Sequence, residues 1–442
     1  MIHVAKQDLQ KKSKDELVDE LYDSLVENDK LKRELRKYKN PNTPPSANQH
    51  LKPSAAPQHT SKKKRGAPLG HPGITRLWKP DATILPIVAT ECPGCHSNDI
   101  KFFKRKKRQQ IDEIPQEIKP TTTTVERDVC QCNKCHLKFI ARDGQTPLKG
   151  RFGINLMVLV IFLRFIVRGV MRKTAMFLGA GFALQLAPAS VQAIIARAAA
   201  AGEQEYAQLK QRIRDASRLH IDETSFSVLG KNWWVWVFRS GTEKLIVIRP
   251  SRGNNVLEEI LGKDYAGIVH CDCWRAYDFL KCAVLQRCWA HLLRKSAELK
   301  QTVAGRHFHK KLTRLFDRIE SFNARERTPA ERDRQYLKMT AQLKKIITYY
   351  ARYDDCKAVV NYIRFHIGSW FTCVKYDNVE PTNNNGEQTI RETVIVRKII
   401  GAFRSEQGTH VYETLASLLA TWQFQQRDIK QELHRMLTAN LC

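Results

Sequence analysis

Three acidic residues, far apart in the chain, stand where carboxylates could do chemistry. Asp222 lies in a strand-like segment, Asp272 follows a short apolar strand, and Glu387 comes just after a run of asparagines that opens a helix. Carboxylate oxygens are the hard ligands that Mg²⁺ prefers, and a few of them leave room for water and a phosphate. Two such ions can clamp the attacking and leaving oxygens of a displacement at phosphorus. These residue types therefore indicate phosphodiester chemistry, if the fold brings them together.

Each aspartate has a competitor nearby in the sequence. Asp222 is followed directly by Glu223, so the neighbouring carboxylate could be the ligand instead. Asp264 and Asp278 flank the segment that carries Asp272, but only Asp272 follows the apolar strand directly. We therefore favour Asp222 and Asp272.

Glu387 has an alternative role at the end of its helix. Asn384 and Glu387 have the spacing of a capping box, in which the acid would only satisfy backbone N–H groups. Arg391 follows Glu387 by four residues and shares its helical face. It could orient the carboxylate or hold a phosphate, or it could form a simple surface ion pair.

Two C-x-x-C pairs indicate a structural zinc ion. They are Cys92 with Cys95 and Cys132 with Cys135. Four thiolates suit tetrahedral zinc in a closed, non-catalytic site. A buried or redox pair is the alternative, and Cys130 is expected to be a bystander.

The segment from Ser217 to Arg287 changes from a helical to a strand-like pattern. Three antiparallel strands are followed by helix, strand, helix and strand, at residues 218–228, 233–238, 245–248, 254–261, 267–271, 274–280 and 283–287. This order predicts a mixed five-stranded sheet covered by helices and resembles the ribonuclease-H-like α/β fold. In such a fold the first and fourth strands lie side by side, so Asp222 and Asp272 could share a metal. A helix from about Asn383 to about Ile400 would present the third acid.

The rest of the chain divides by composition and periodicity. We predict a coiled-coil-like helix over 1–40, a basic linker over 41–88, a zinc-binding module over 89–145, a helical region over 150–215, a catalytic core over 216–294 and 377–442, and a helical insertion over 295–376. The first helix could equally be a solvated amphipathic helix. In the helical region, an apolar helix ends near Val170, a short helix 171–178 meets a glycine turn, and a helix follows over 191–200. This pattern resembles helix-turn-helix, with a plain helical bundle as the alternative.

The charge of the chain points to a polyanionic partner. Its 442 residues include 74 Lys and Arg against 45 Asp and Glu, a formal net charge of +29. Nucleic acid is the leading candidate and an anionic membrane surface the rival. Candidate DNA contacts are Lys62, Lys63, Lys64, Arg65, Lys104, Arg105, Lys106, Lys107, Arg108, Gln192 and Arg197. Neither a signal peptide nor a membrane span is evident, so we expect a cytoplasmic, nucleoid-associated bacterial protein with reduced cysteines.

Four motifs carry a family resemblance. They are His220-Ile-Asp-Glu-Thr224, Cys271-Asp-Cys-Trp-Arg-Ala-Tyr277, Cys288-Trp-Ala-His-Leu-Leu-Arg294 and Thr382-Asn-Asn-Asn-Gly-Glu-Gln-Thr-Ile-Arg391. In this order they resemble the insertion-sequence-66 family of DDE transposases, as do the zinc cysteines and residues 65–73. The resemblance implies a catalytic triad of Asp222, Asp272 and Glu387 holding two Mg²⁺ or Mn²⁺ ions, with Asp272 bridging them. Supporting roles fall to Arg391, Asn384 and His291, the last as a contact to the scissile phosphate.

The same resemblance implies partners and an activity. A transposase cleaves DNA at the ends of its insertion sequence, joins them to target DNA, and holds two ends together in a homo-oligomer, sometimes with small accessory proteins of the element. Two other functions remain open: a non-catalytic, zinc-containing DNA-binding regulator, and a ribonuclease-H-like nuclease or resolvase. Cys288 and His291 could also bind zinc with Cys271 or Cys273, although a role in the core and active-site wall is favoured.

Overall fold

The computed structural model describes Glu27, residues 84–85, 87, 89–101 and 109–112, and all of 118–442. The chain forms two compact units, residues 1–118 and 119–442. The coiled-coil-like helix, nearly all of the basic linker, and the cation runs 62–65 and 104–108 lie outside the described residues. These features stay predictions.

The larger unit is built on a mixed sheet. Its strands are β3 (Arg218–Val228), β4 (Lys231–Arg239), β5 (Lys244–Arg249), β6 (Ile268–Cys271), β7 (Val284–Arg287) and β8 (Ala402–Phe403); β1 (Val129–Gln131) and β2 (Lys138–Ile140) form a separate hairpin. The spatial order is β5-β4-β3-β6-β7. The strands β3, β4 and β5 pair antiparallel, whereas β6 is parallel to both β3 and β7.

The five predicted strands are present, and the prediction missed a sixth. The short strand β8 pairs with the end of β3. Two residues are too few to show a period-two pattern, so the sequence carries no signal for β8. The β3–β4 hairpin turns at Leu229 and Gly230, both with positive φ (50° and 75°), as a tight two-residue turn with right-handed strand twist requires.

Residues 118–442 contain twelve α-helices, which cover the sheet or form the insertion. They are α1 (Ile154–Phe165), α2 (Met171–Phe182), α3 (Pro188–Arg214), α4 (Asn254–Leu261), α5 (Trp289–Ala297), α6 (Val303–Asn323), α7 (Pro329–Tyr350), α8 (Lys357–Phe365), α9 (Thr372–Lys375), α10 (Asn384–Ile400), α11 (Glu406–Phe424) and α12 (Ile429–Leu441). Short 3₁₀ turns separate several of them, including Arg275–Phe279 where a short helix was predicted. No helix among these is long and apolar enough to cross a membrane.

Three predicted boundaries in the helical region are wrong. The helix α1 ends at Phe165, not near Val170, and α2 continues through Gly179 and Gly181. A glycine inside a helix costs only about 1 kcal/mol, so packing can override it. The helix instead ends at Ala183, in the left-handed conformation. The next helix, α3, starts at Pro188 and runs 27 residues, far beyond the predicted 191–200.

The helical region and the sheet share one hydrophobic core. Buried residues of α1 and α3, of the sheet, and of α11 and α12 form a single cluster. A Cβ on Gly202 of α3 would lie 2.9 Å from a Leu418 methyl of α11, so glycine permits this close approach. The helices α1 to α3 therefore support the sheet that carries the acids.

The helical insertion has its own core. Residues of α5 to α9, with Trp289, Phe308, Trp370 and Phe371 fully buried, form a second cluster. The two tryptophan rings meet edge to face at 5.7 Å. Because α5 begins two residues after β7, this second core is joined directly to the sheet.

Candidate functional site

Asp222 and Asp272 lie on neighbouring parallel strands. The register pairs Leu219 with Val269 and His220 with His270. Two residues further along, the same offset sets Asp222 beside Asp272, at the carboxyl end of β6. The rings of His220 and His270 stack at 4.0 Å, which shows that this face of the two strands is closely packed. Since side chains two residues apart share a face, both aspartates lie on the histidine face.

The carboxyl of Asp222 is strongly perturbed. Burial, followed by the charges of Glu223, Asp272 and Glu387, raises the pKa of Asp222 to about 7. Its Oδ1 accepts the Glu223 N–H at 3.0 Å. Like charges near one another disfavour ionisation unless a cation neutralises them. The surroundings of Asp222 therefore favour its protonated form unless a cation neutralises the neighbouring carboxylates.

Glu223 faces the other side of the sheet. Alternation along β3 turns it toward the core, where its carboxylate accepts from Tyr277 Oη at 2.5 Å and from Arg252 at 2.8 Å. Burial raises the pKa of Glu223, with the charge of Asp272 adding to the effect. This carboxylate is already held by two donors on the far face, so Asp222 is the better candidate of the adjacent pair.

The competing aspartates also lie elsewhere. Asp264 is exposed in the loop before β6, at the end opposite the acids. Asp278 pairs with the fully buried Arg287 at 2.5 Å. Arg287 also donates to the Asp272 carbonyl oxygen at 2.6 Å. Asp278 thus holds an arginine that supports the loop carrying Asp272.

Glu387 reaches the same face of the sheet from α10. The helix is anchored by Asn383, which is 1% exposed. Its side chain donates to the Ile221 carbonyl at 2.8 Å and meets His220 Nδ1 at 3.0 Å. At the other end of α10, Arg397 donates to Thr224 Oγ1 at 3.2 Å. These contacts hold the helix against the strand face that bears Asp222.

The capping-box alternative for Glu387 is wrong. The N-cap of α10 is Asn383, and no side chain caps the helix by a hydrogen bond. Glu387 lies in the first turn, and its carboxylate instead accepts from Arg294 at 2.5 Å and lies 3.6 Å from His291 Nδ1. Its carboxylate is therefore directed to other side chains and not to the helix end.

Two predicted supporting residues do not touch the site in this structure. Asn384 is exposed, and it is the side chain of the neighbouring Asn383 that binds β3. Arg391 is exposed and makes no ion pair with Glu387, because Arg294 of α5 occupies that position. His291, by contrast, lies beside Glu387 as described above.

The three acids approach one region without forming a tight ligand group. In the described part of the chain, the one set of three donor side chains whose ligand atoms all lie within 4.8 Å of each other is Cys288, His291 and Glu387. A pair of ions with a bridging carboxylate spreads its outer ligands wider than a single ion does. The donor set of Asp222, Asp272 and Glu387 consists of hard oxygens only, which fits Mg²⁺ or Mn²⁺.

The two C-x-x-C pairs form turns of the same kind, one in each unit. In the first, the Cys92 N–H donates to Ser97 O and the His96 N–H to Cys92 O, both at 2.9 Å. In the second, Cys132, His136 and Leu137 repeat these contacts at the same distances. His96 and His136 both adopt positive φ, 56° and 58°. Each turn can present two sulfurs to one ion.

The pKa of the first thiol of each turn is lowered. Backbone N–H groups of Gly94 and Cys95 lower the pKa of Cys92, and those of Cys135 and Lys134 lower the pKa of Cys132. Thiolates, not thiols, bind zinc. The local geometry of each pair therefore suits a metal ligand.

The two candidate DNA contacts on α3 differ in exposure. Gln192 is exposed, whereas Arg197 is half-buried. A Cβ on Gly150 would lie 2.3 Å from the Arg197 guanidinium, so this side chain packs against the Gly150 backbone. Gln192 alone of the two faces solvent.

Comparison with protein families identifies the chain. Residues 149–411, more than half of its length, match the family described as transposase IS66. The chain belongs to the IS66 family of transposases. A search of curated proteins gives no match. The matched region contains β3, β6 and α10, and with them all three acids of this IS66 transposase.

We expect Asp222 to make the metal-free IS66 transposase less stable as pH rises, whereas buried histidines such as His270, whose pKa is lowered to about 3, act in the opposite direction. The pKa of Asp222 is about 7 in the folded protein against 3.8 ordinarily, so the folded chain keeps a proton that the unfolded chain has released. Between these values Asp222 lowers the free energy of unfolding of wild type relative to that of Asp222→Asn, by on the order of 3 kcal/mol. Urea unfolding of both proteins in the presence of a chelator, from about pH 4.5 to about pH 7.5, measures this difference. The same change with pH in both proteins would contradict the raised pKa.

Proposed function

We propose that this protein is a DNA transposase that cleaves DNA at the ends of its insertion sequence and joins them to target DNA, using divalent metal ions at Asp222, Asp272 and Glu387. The observation that carries the proposal is the parallel pairing of β3 with β6, with α10 packed on the same face. This arrangement, with the strand order β5-β4-β3-β6-β7, is what a ribonuclease-H-like fold requires. Family membership supports the same activity.

Different residues of the chain would bind the metal ions, position the binding residues and contact the phosphate. Asp272 and Asp222, with Glu387, would hold the ions and so position the scissile phosphate. Bound Mg²⁺ supplies activation of the attacking oxygen and stabilisation of the leaving oxygen. Asn383 keeps α10 against β3, and Arg287 fixes the backbone of Asp272. His291 and Arg294 stand beside Glu387, where they can meet a phosphate oxygen.

We propose that the N-terminal part provides DNA binding and assembly. Zinc would be held by Cys92, Cys95, Cys132 and Cys135, supported by the two matching turns and the lowered thiol pKa values. The basic runs at 62–65 and 104–108, with Gln192, would contact DNA, and the first helix would join subunits, with accessory proteins of the element as further partners. Such a protein would act on DNA in the cytoplasm.

A joining assay tests the proposal. Full-length protein, Mg²⁺, a duplex carrying the element's own ends and a supercoiled target should yield products in which an element end is covalently joined to target DNA. Cleavage without any joined product would instead identify a nuclease. Binding to the ends with neither reaction in Mg²⁺ or Mn²⁺ would identify a regulator.

DNA binding should depend strongly on salt. Phosphate contacts by Lys and Arg release counterions, so the logarithm of the binding constant should fall linearly with the logarithm of salt concentration, with a slope near −0.9 per phosphate contact. The net charge of +29 supports many such contacts. Fluorescence anisotropy over a series of salt concentrations measures the slope. A binding constant that is flat across ionic strength would rule out backbone contacts as the main source of affinity.

A further inference from the structure

A second group of metal-binding side chains shares Glu387 with the proposed catalytic site. The Cys288 Sγ, a ring nitrogen of His291 and a carboxylate oxygen of Glu387 lie within 4.8 Å of one another. In a tetrahedral zinc site with bonds of about 2.0–2.3 Å, ligand atoms lie roughly 3.3–3.8 Å apart. If the three ligand atoms moved about 1 Å closer to one another, they would occupy three of the four ligand positions of a tetrahedral zinc ion.

The nitrogen and the sulfur are placed for a metal ion. His291 Nδ1 is buried and has no hydrogen-bond partner, although Glu387 Oε1 is 3.6 Å away. Buried polar atoms are seldom left without a partner. Cys288 is 1% exposed, and its Sγ accepts the Asn383 backbone N–H at 3.1 Å. This donor would equally stabilise a thiolate bound to a metal ion.

A cationic side chain, that of Arg294, already contacts two of these ligands. The Arg294 guanidinium contacts Glu387 Oε1 at 2.5 Å and His291 Nε2 at 3.3 Å. Its side chain is 59% exposed, so it can turn into solvent when another cation arrives. The arginine therefore marks a place where positive charge is favoured and can be exchanged.

We propose that Cys288, His291 and Glu387 bind a zinc-like ion, and that this ion inhibits the transposase by drawing Glu387 away from Asp222 and Asp272. Sulfur and imidazole ligands select zinc over magnesium. Binding displaces Arg294 and releases the thiol proton of Cys288 to solvent, with no redox change. The inhibition rests on the proposed function, whereas the binding does not.

Cobalt spectroscopy tests the binding. Full-length protein, first saturated with zinc at its tightest sites, is titrated with Co²⁺ in parallel with Cys288→Ser and Cys373→Ser. Cys373 is the matched control, because it is also 1% exposed but lies outside the cluster. A thiolate-to-cobalt band should appear in wild type and Cys373→Ser and be absent from Cys288→Ser. Equal bands in all three proteins, or no band in wild type, would overturn the site.

Zinc inhibition of joining tests the consequence. Each protein's rate in Mg²⁺ plus zinc is divided by its own rate without added zinc. The joining rate of wild type and of Cys373→Ser should fall at least about tenfold when zinc is added, which corresponds to a rise of about 1.4 kcal/mol in the activation barrier. Cys288→Ser should keep most of its joining rate. Equal inhibition of Cys288→Ser would overturn the regulatory role. Absence of joining in Mg²⁺ alone would refute the transposase proposal, and the cobalt result would still decide the site.

A separate observation concerns the exposed face of the insertion. Along α6, the exposed cations Lys310, Lys311, Arg314 and Arg318 share one helical face, opposite the buried Leu312 and Leu315. Arg318 donates to Gln342 of α7 at 2.6 Å, next to the exposed Lys338 and Lys345. The two helices thus present a mainly basic surface, in which Asp317 is an exposed acidic residue on the same face of α6.

This basic surface is not neutralised within the described chain. Ion pairs of the described insertion join Arg327 to Glu331, Arg332 to Asp377, Lys357 to Asp354 and His366 to Asp278, and none involves a cation of the surface. From Lys310 to Arg318 the helix spans about 12 Å. Unpaired cations at this spacing suit the phosphates of a duplex.

We infer that the basic surface of α6 and α7 binds the DNA backbone without sequence preference. The triple change Lys310→Glu, Lys311→Glu, Arg314→Glu should weaken duplex binding and reduce the salt slope by about 3. The control carries Lys149→Glu, Lys231→Glu and Lys281→Glu, exposed lysines of the larger unit outside the insertion, with the same change in charge. Equal weakening in both triple variants would contradict the inference. The measurement needs no catalysis, so it is independent of the proposed activity.

Discussion

Asp272→Asn should abolish joining and leave DNA binding intact. The substitution keeps the size of the side chain, including an oxygen that can accept the Trp274 N–H now bound at 2.8 Å. It removes the charge of the carboxylate expected to bridge two ions. Loss of several kcal/mol of transition-state stabilisation lowers the rate by about 10³-fold or more. Joining rates with the element's ends, and binding by anisotropy, measure the two effects separately.

Asp264→Asn is the matched control for Asp272→Asn. Asp264 is exposed at the opposite end of β6, and its replacement by asparagine removes the same charge from the chain. Its joining rate should equal that of wild type. If Asp272→Asn joined DNA as fast as this control, the carboxylate would have no role in the reaction.

Arg287→Met should destabilise the larger unit. Arg287 is fully buried and donates to Asp278 at 2.5 Å and to the Asp272 carbonyl at 2.6 Å. Methionine fills similar space but leaves both oxygens without their donor. Asp278 is 43% exposed and can be solvated by water, so the main cost is the lost bond to the Asp272 carbonyl, about 1–3 kcal/mol. Urea unfolding followed by tryptophan fluorescence measures the loss.

Arg294→Met provides the comparison for Arg287→Met. Arg294 also pairs with a carboxylate, but its side chain is 59% exposed. Solvent-exposed pairs contribute less than about 1 kcal/mol. A loss for Arg287→Met no larger than that for Arg294→Met would show that the buried arginine does not hold the Asp272 loop.

The sheet could be predicted from sequence because its signals are local. The bounds of β3 and α4 match the predicted segments, since apolar alternation and helical periodicity are strong there. The glycines of α2 predict a turn and therefore too short a helix, whereas packing keeps these glycines helical. The strand β8 has no local signal and exists only because it meets the end of β3.

The supporting residues of the site were harder to predict than the acids. Asn383 and Arg294 lie inside the recognised motifs, yet their roles depend on contacts to Ile221 and Glu387 that no local spacing reveals. The spacing of Glu387 and Arg391 allowed an ion pair between them, but in the structure Glu387 pairs with Arg294. Arg287 gave no signal, because a lone arginine at the end of a strand is ordinarily exposed.

The proposed activity requires that Asp222, Asp272 and Glu387 together bind divalent cations. Crystals of the full-length protein soaked in Mn²⁺ test it directly through anomalous scattering. We expect manganese peaks bounded by these three carboxylates in wild type, and their loss in Asp272→Asn. Manganese at other sites only, or peaks that persist unchanged in Asp272→Asn, would contradict it.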